Sequence, residues 1–156
     1  MPKYICVDKT EGYQAAAILF SEYAAWLNID LGFQRFEEEL ASLKEMYAAP
    51  WGGIILCKND SEYVGCIAVR KTDEDIAELK RMYVKPAHQK FGIGQALLHE
   101  ALTMAKKYHY KKIRLDTLSN MLPAINLYKR NGFYEIPAYY FNPQSTAVFF
   151  EKILQE

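Results

Sequence analysis

The segment Gln89-Lys90-Phe91-Gly92-Ile93-Gly94 constrains this chain more than any other stretch, because it lies where a strand-like run gives way to a helix-like one. Ile76 to Val84 reads as a strand, Lys85 and Pro86 interrupt it, and Gly94 to Leu102 has the amphipathic spacing of a helix. Glycines at such a junction let the backbone come close to something bulky. The helix N-terminus behind them offers unpaired N–H groups and positive potential, which suits a phosphate. The junction is therefore a candidate site for a phosphorylated ligand.

The rest of the chain reads as one domain, residues 1–156, with no internal repeat, low-complexity tract or Pro/Gly/Ser linker. Tyr4 to Val7 looks like a first strand. Thr10 is placed to cap a helix running to about Leu27, and a second helix is expected from roughly Gln34 to Tyr47. Gly53 to Cys57 and Tyr63 to Arg70 read as strands joined by the polar turn Lys58-Asn59-Asp60-Ser61. After the long helix to Tyr108, Lys112 to Thr117 forms a strand. The next helix has Pro123 in its first turn and stops near Asn131-Gly132. Phe133 to Tyr140 and Ala147 to Ile153 close the chain as strands. The order β-α-α-β-β-β-α-β-α-β-β describes an α/β (α+β) fold, a mixed sheet with helices packed on it.

Composition excludes several function classes. Nineteen basic and nineteen acidic residues cancel, so no global field favours nucleic acid or an anionic membrane, and Lys106, Lys107, Lys111 and Lys112 read as a solvated turn. Cys6, Cys57 and Cys66 lie in apolar runs without C-x-x-C spacing, which argues for buried reduced thiols over a disulfide framework or zinc site. No uncharged apolar run approaches the ~20 residues of a membrane span, and the first residues lack a signal-like apolar region. A cytoplasmic location is expected. His88, His99 and His109 show no metal-ligand spacing, and no Ser-His-Asp or Cys-His set is evident.

The two glycines alone are a weak signal, so their surroundings decide. A third glycine and a following acidic residue at Rossmann spacing are missing, and so is the Gly-Lys-Ser/Thr of a nucleotide-hydrolase loop. What remains is Gln-x-x-Gly-x-Gly after a strand, followed by Ala124-Ile125-Asn126-Leu127-Tyr128-Lys129-Arg130-Asn131-Gly132-Phe133. This pair of motifs resembles the GNAT (GCN5-related) N-acetyltransferase superfamily, and the element order extends the resemblance over essentially the whole chain.

The resemblance implies acetyl-CoA as co-substrate and no metal. It assigns the diphosphate to the loop of Gln89, Lys90, Phe91, Gly92, Ile93, Gly94 and Gln95. Lys90 and Phe91 depart from the common Gly-Lys filling of that loop. The backbone of Met82, Tyr83 and Val84 matches the strand end that pairs with the pantetheine arm. Tyr128 matches a tyrosine near the thioester sulfur. A departing thiolate gains from a proton donor, and a phenol with a reference pKa of about 10 is protonated at neutral pH. Its bland alternative is a core tyrosine. Glu78 matches a glutamate that deprotonates the attacking ammonium in some members, with a salt-bridged carboxylate beside Lys80 and Arg81 as its alternative. The asparagine often found seven residues before the tyrosine is Met121 here, which leaves Asn120 as a site candidate or a helix cap. Asp116 and Thr117 are placed to face the acceptor, or Asp116 to bond a loop. His88 adjoins the phosphate loop.

The implied activity is transfer of an acetyl group directly to a primary amine of a small molecule, amino acid or peptide. Asn28 to Phe33 and Tyr139 to Pro143 are the expected walls of the acceptor groove. The cluster Glu37, Glu38, Glu39 is expected to be a solvated face. A homodimer is a further expectation from the resemblance. Two rival readings remain, a catalytically silent CoA-binding regulatory module and a binder of another phosphorylated ligand.

Overall fold

Ile54 and Leu56 enter one core while their neighbours Ile55 and Cys57 enter another, so this strand is buried on both faces. That is why its sequence is an unbroken apolar run rather than an alternating one. The computed structural model describes residues 1–32 and 35–155. Its strands are β1 (Pro2–Cys6), β2 (Gly53–Asn59), β3 (Glu62–Asp73), β4 (Ile76–Val84), β5 (Lys112–Leu118), β6 (Tyr134–Ile136) and β7 (Ala147–Ile153). Its helices are α1 (Thr10–Leu27), α2 (Phe36–Ala41), α3 (Leu43–Met46), α4 (Ile93–Lys107) and α5 (Leu122–Arg130). The sheet order is β1-β2-β3-β4-β5-β7-β6. Among the described residues only β4 and β5 pair in parallel, and α4 supplies the long crossover that parallel neighbours require.

One core packs Leu97, Leu98 and Ala101 of α4 and Ile125 and Tyr128 of α5 against the sheet. The other packs Ala16, Leu19 and Phe20 of α1, with Leu43 and Tyr47, on the opposite face. The mixed α/β fold agrees with the expectation, and several details differ. The expected second helix breaks at Ser42, whose hydroxyl donates to the Glu38 carbonyl at 2.7 Å and diverts an acceptor from the helical ladder. Its expected start at Gln34 lies outside the described residues. Thr10 does not cap α1; Lys9 holds the N-cap position, without a side-chain bond. Asn120 does not cap α5, where Met121 takes that place. The strand expected to reach Tyr140 ends at Ile136, before Pro137, which has no N–H to continue a ladder. Cys57 and Cys66 are buried, but Cys6 on the edge strand β1 is exposed.

Glu39 corrects the reading of the acidic cluster. Glu37 and Glu38 face solvent, whereas Glu39 is buried and bound to Arg81 of β4 through two hydrogen bonds of 2.7 and 3.0 Å. Tyr47 donates a third bond at 2.9 Å, and the Phe36 ring lies against the guanidinium. Burial by itself would raise the Glu39 pKa. The hydrogen bonds and charge of Arg81, helped by Lys80 and Tyr47, outweigh it and hold the carboxyl below its usual range.

This cluster sits at a bulge. Ala68 pairs with Lys80 and Cys66 with Tyr83, so Ile67 alone opposes both Arg81 and Met82. Arg81 takes a left-handed φ of 59°, a conformation that costs a non-glycine residue roughly 1–2 kcal/mol. The fork to Glu39 and the Cys66 thiol bonded to the Arg81 carbonyl hold it there.

Glu39→Gln leaves a buried guanidinium without its counter-charge and is expected to cost about 3–5 kcal/mol in chemical denaturation. Because the folded-state pKa of Glu39 is depressed, its contribution is complete above the unfolded value of about 4.3 and disappears as pH falls through the folded value. The wild-type protein should therefore lose stability steeply in acid, and the Gln variant less so.

Candidate active site

The strands β4 and β5 pair only where Ile76, Ala77 and Glu78 meet Lys112, Ile113 and Arg114. Beyond that point they part, while each keeps its other neighbour, β3 or β7. The bulge at Arg81 lies on the parting stretch, where an extra residue bends a strand and increases its twist. The opening is a cleft between two facing backbone edges, Leu79 to Met82 on one side and Leu115 to Leu118 on the other. The N–H and C=O groups along those edges have no strand partner across the gap, so they are available to an extended ligand. Tyr23 and Leu27 of α1 and Tyr128 of α5 also line it.

At the end of β4 the chain makes a single turn of 3-10 helix, Pro86–His88, and enters the glycine loop. Gln89 fastens the loop, its amide donating to the Val84 carbonyl at 3.0 Å. Gly92 has φ 74° and forms the N-cap of α4, with no side chain capping the helix. The amides of Ile93, Gly94 and Gln95 therefore stand without helical or side-chain partners. A Cβ at Gly92 would meet nothing within 4 Å, so the space before these amides is open. Gly92 is glycine for its backbone angle rather than for room. The Gln95 side chain exchanges two hydrogen bonds with Asn131, at 2.9 and 3.0 Å, and ties α4 to the end of α5. Lys90 and Phe91 project outward. Open N–H groups, the helix dipole and the free strand edge fit a phosphorylated ligand with an extended arm. His88 lies 3.7 Å from Glu62.

Tyr128 is buried against Phe133 and Phe150, with ring centroids 5.6 and 6.5 Å away, yet it lines the cleft. Its hydroxyl makes no hydrogen bond among the described residues. Burial raises its pKa strongly, with smaller contributions from Tyr23 and the Asp116 charge, so the phenol stays protonated. Tyr23 is pushed up to about 12, chiefly by burial.

Glu78 is placed otherwise than a solvent-linked base would be. It lies where the strands still pair, is 3% exposed, and is not among the residues lining the cleft. Arg70 donates to one carboxylate oxygen at 2.9 Å and Tyr139 to the other at 2.7 Å. Asp116 does line the cleft and also bonds the loop after β6, accepting from Tyr140 and from Asn142, the latter at 2.9 Å. Tyr139 and Tyr140 both pack on Phe149. The loop therefore sits over the cleft on two carboxylates, Glu78 and Asp116. Ile29 and Leu31 from one expected wall, Asn142 from the other, and Thr117 line the cleft, whereas Asn120 is exposed on the turn before α5 and Phe33 lies outside the described residues. Sequence reasoning missed Tyr23 and Lys80. The signal for Lys80 was two adjacent cations, Lys80 and Arg81, inside a strand whose only other charged residue is Glu78. Among the described residues no group of three or more His, Cys, Asp or Glu is arranged to hold a metal ion, and no helix is long and apolar enough to cross a membrane.

A mixed sheet that parts between its two parallel strands, with an uncapped glycine-led helix at one end of the gap, defines an acyl-CoA N-acyltransferase fold. The family model "Acetyltransferase (GNAT) family" matches residues 20–133, and the chain belongs to that family. It is 34% identical to an uncharacterized N-acetyltransferase of Schizosaccharomyces pombe, over 85% of this chain and 82% of the relative. An acetyltransferase of the GNAT family from Staphylococcus aureus superposes with a TM-score of 0.81 at 23% identity, covering 99% of this chain and 100% of that one. The PaiA N-acetyltransferase of Thermoplasma acidophilum, solved in complex with coenzyme A, superposes with a TM-score of 0.75 at 20% identity, covering 98% and 99%. The chain is an N-acetyltransferase, and its family uses acetyl-CoA.

A Cβ at Gly94 would lie 3.6 Å from Leu127, an ordinary contact, so Gly94→Val should fold. It should nevertheless weaken coenzyme A binding about tenfold or more in calorimetric titration, because branched bulk would obstruct close approach to the amides. Unchanged affinity would remove the phosphate from this loop.

Proposed function

We propose that the protein acetylates the primary amine of a small molecule, amino acid or peptide by direct transfer, with Tyr128 as the proton donor. The observation that carries this reading is the Tyr128 hydroxyl, buried, protonated and without a hydrogen-bond partner among the described residues, at the wall of the cleft. Acetyl-CoA would supply an activated acetyl thioester. The amides of Gly92, Ile93, Gly94 and Gln95 would hold its diphosphate, and the free edge of Met82, Tyr83 and Val84 its pantetheine arm, with Gln89 fixing the loop. As the amine nitrogen bonds to the acetyl carbon and the carbon–sulfur bond breaks, Tyr128 gives its proton to the sulfur. The ammonium loses one proton to solvent at the cleft mouth before it attacks, and the second proton, shed as the amide forms, returns to the Tyr128 phenolate, so the thiol gains one proton and the enzyme is restored.

Glu78 takes a positioning role in this account. Its two oxygens are committed to Arg70 and Tyr139, which makes it an anchor for the loop rather than a base. Tyr128→Phe should lower kcat about a hundredfold while coenzyme A affinity stays within about twofold. Glu78→Gln should raise the KM for the amine and lower thermal stability, leaving the pH dependence of kcat in place. Loss of the acid-side rise of kcat with pH in the Gln variant would restore Glu78 as the base.

A further inference from the structure

The charged side chains lining the cleft are Lys80 and Arg81 on β4 and Asp116 on β5. Arg81 is neutralised by its two-pronged pairing with Glu39. The other two have no such partner. The Lys80 side chain is 8% exposed, and its nearest carboxylate oxygen, on Glu78, is 3.8 Å away, beyond hydrogen-bond distance. That oxygen is already taken by Arg70 at 2.9 Å. Among the described residues no hydrogen bond to the Lys80 ammonium is found. Burial, ahead of the counteracting Glu78 charge, depresses the Lys80 pKa, with Arg81 and Arg70 adding to the depression. A buried ammonium with unused donors is costly unless something else satisfies it.

Asp116 has the converse arrangement. It accepts hydrogen bonds from two neutral groups, Tyr140 and Asn142, and makes no ion pair among the described residues. Among the described residues the cleft thus carries one ammonium with no hydrogen-bonded acceptor and one carboxylate with no ion pair, on the two strands that part. Resting on the acetyltransferase reading above, we infer that the acceptor is a zwitterion, a free amino acid whose carboxylate is held by Lys80 and whose amine lies toward Asp116. Asp116 and Tyr128 line the same cleft, so an amine drawn to Asp116 shares that space with the proton donor. A carboxylate in contact with Lys80 gives the ammonium its missing acceptor, and an ammonium beside Asp116 supplies the missing cation. A polycationic amine satisfies Asp116 but sets a like charge against Lys80.

The test compares purified wild-type protein with acetyl-CoA and three probe sets, the twenty free amino acids, their carboxamides and the polyamines putrescine and spermidine, following thiol release and product mass. Carboxamides keep the amine and side chain and lose only the negative charge. The expected result is a kcat/KM at least tenfold higher for one or more free amino acids than for the matching carboxamide. Lys80→Met should bring that ratio close to one by raising the KM for the acid, with coenzyme A binding by calorimetry unchanged as the check on folding. Carboxamides or polyamines turned over as well as or better than free acids overturn the inference and leave the acetyltransferase reading standing. An unchanged ratio in Lys80→Met likewise removes Lys80 as the anion contact. Coenzyme A binding with no thiol release from any probe overturns the amino-acid inference and leaves the acetyltransferase reading with a peptide or another amine as acceptor. The wild-type acid-to-amide ratio needs no variant, so a misfolded mutant cannot hide the outcome.

Discussion

The buried pairing of Arg81 with Glu39 is the contact on which the cleft depends. It holds Arg81 in a left-handed backbone conformation, and that conformation makes the bulge on the stretch where β4 leaves β5. Without the bulge, β4 would keep its plain alternation, and Lys80 and Arg81 would fall on opposite faces of the sheet. With it, both reach the cleft. Residues from three places converge on this point, since Glu39 comes from α2, Tyr47 from just after α3 and Cys66 from β3. The short broken helices, otherwise peripheral, are therefore part of the machinery that shapes the site.

Two sets of opposed demands meet in the cleft. The proposed acetyl-CoA site uses an unpaired strand edge and exposed helix amides, both of which a folded protein normally satisfies internally. Here a parted sheet and an uncapped helix leave them available. Around them the structure is tightly tied. Gln89 fixes the loop, Gln95 and Asn131 join two helices, and Glu78 and Asp116 hold the tyrosine-rich loop. Open groups held by rigid surroundings are pre-organised for a ligand, because little conformational freedom remains to be lost on binding.

Much of this was legible in the sequence. The strand-loop-helix junction with Gln89, Gly92 and Gly94, the punctuation by Pro123 and Gly132, and the apolar runs of β2 and β3 each reflect local chemistry. A glycine angle, a missing N–H or a doubly buried strand leaves its mark on neighbouring residues. The misses came where distant residues decide. Glu39 reads as one of three solvated acids because its partner lies forty-two positions away in the chain. Thr10 has the composition of a cap, yet the helix took it in as its first residue.

The sequence by itself determined the fold class, the family, the phosphate-loop candidate and the position of the cleft's tyrosine, because periodicity and motif spacing are properties of adjacent residues. Tertiary structure alone decided which charges are spent and which remain. Glu78 became committed to Arg70 and Tyr139, Arg81 to Glu39, and Asp116 to loop donors without a cation, while Lys80 was left with no hydrogen-bonding partner among the described residues. Electrostatic pairing depends on distance and burial between remote segments, and neither exists until the sheet has formed and parted.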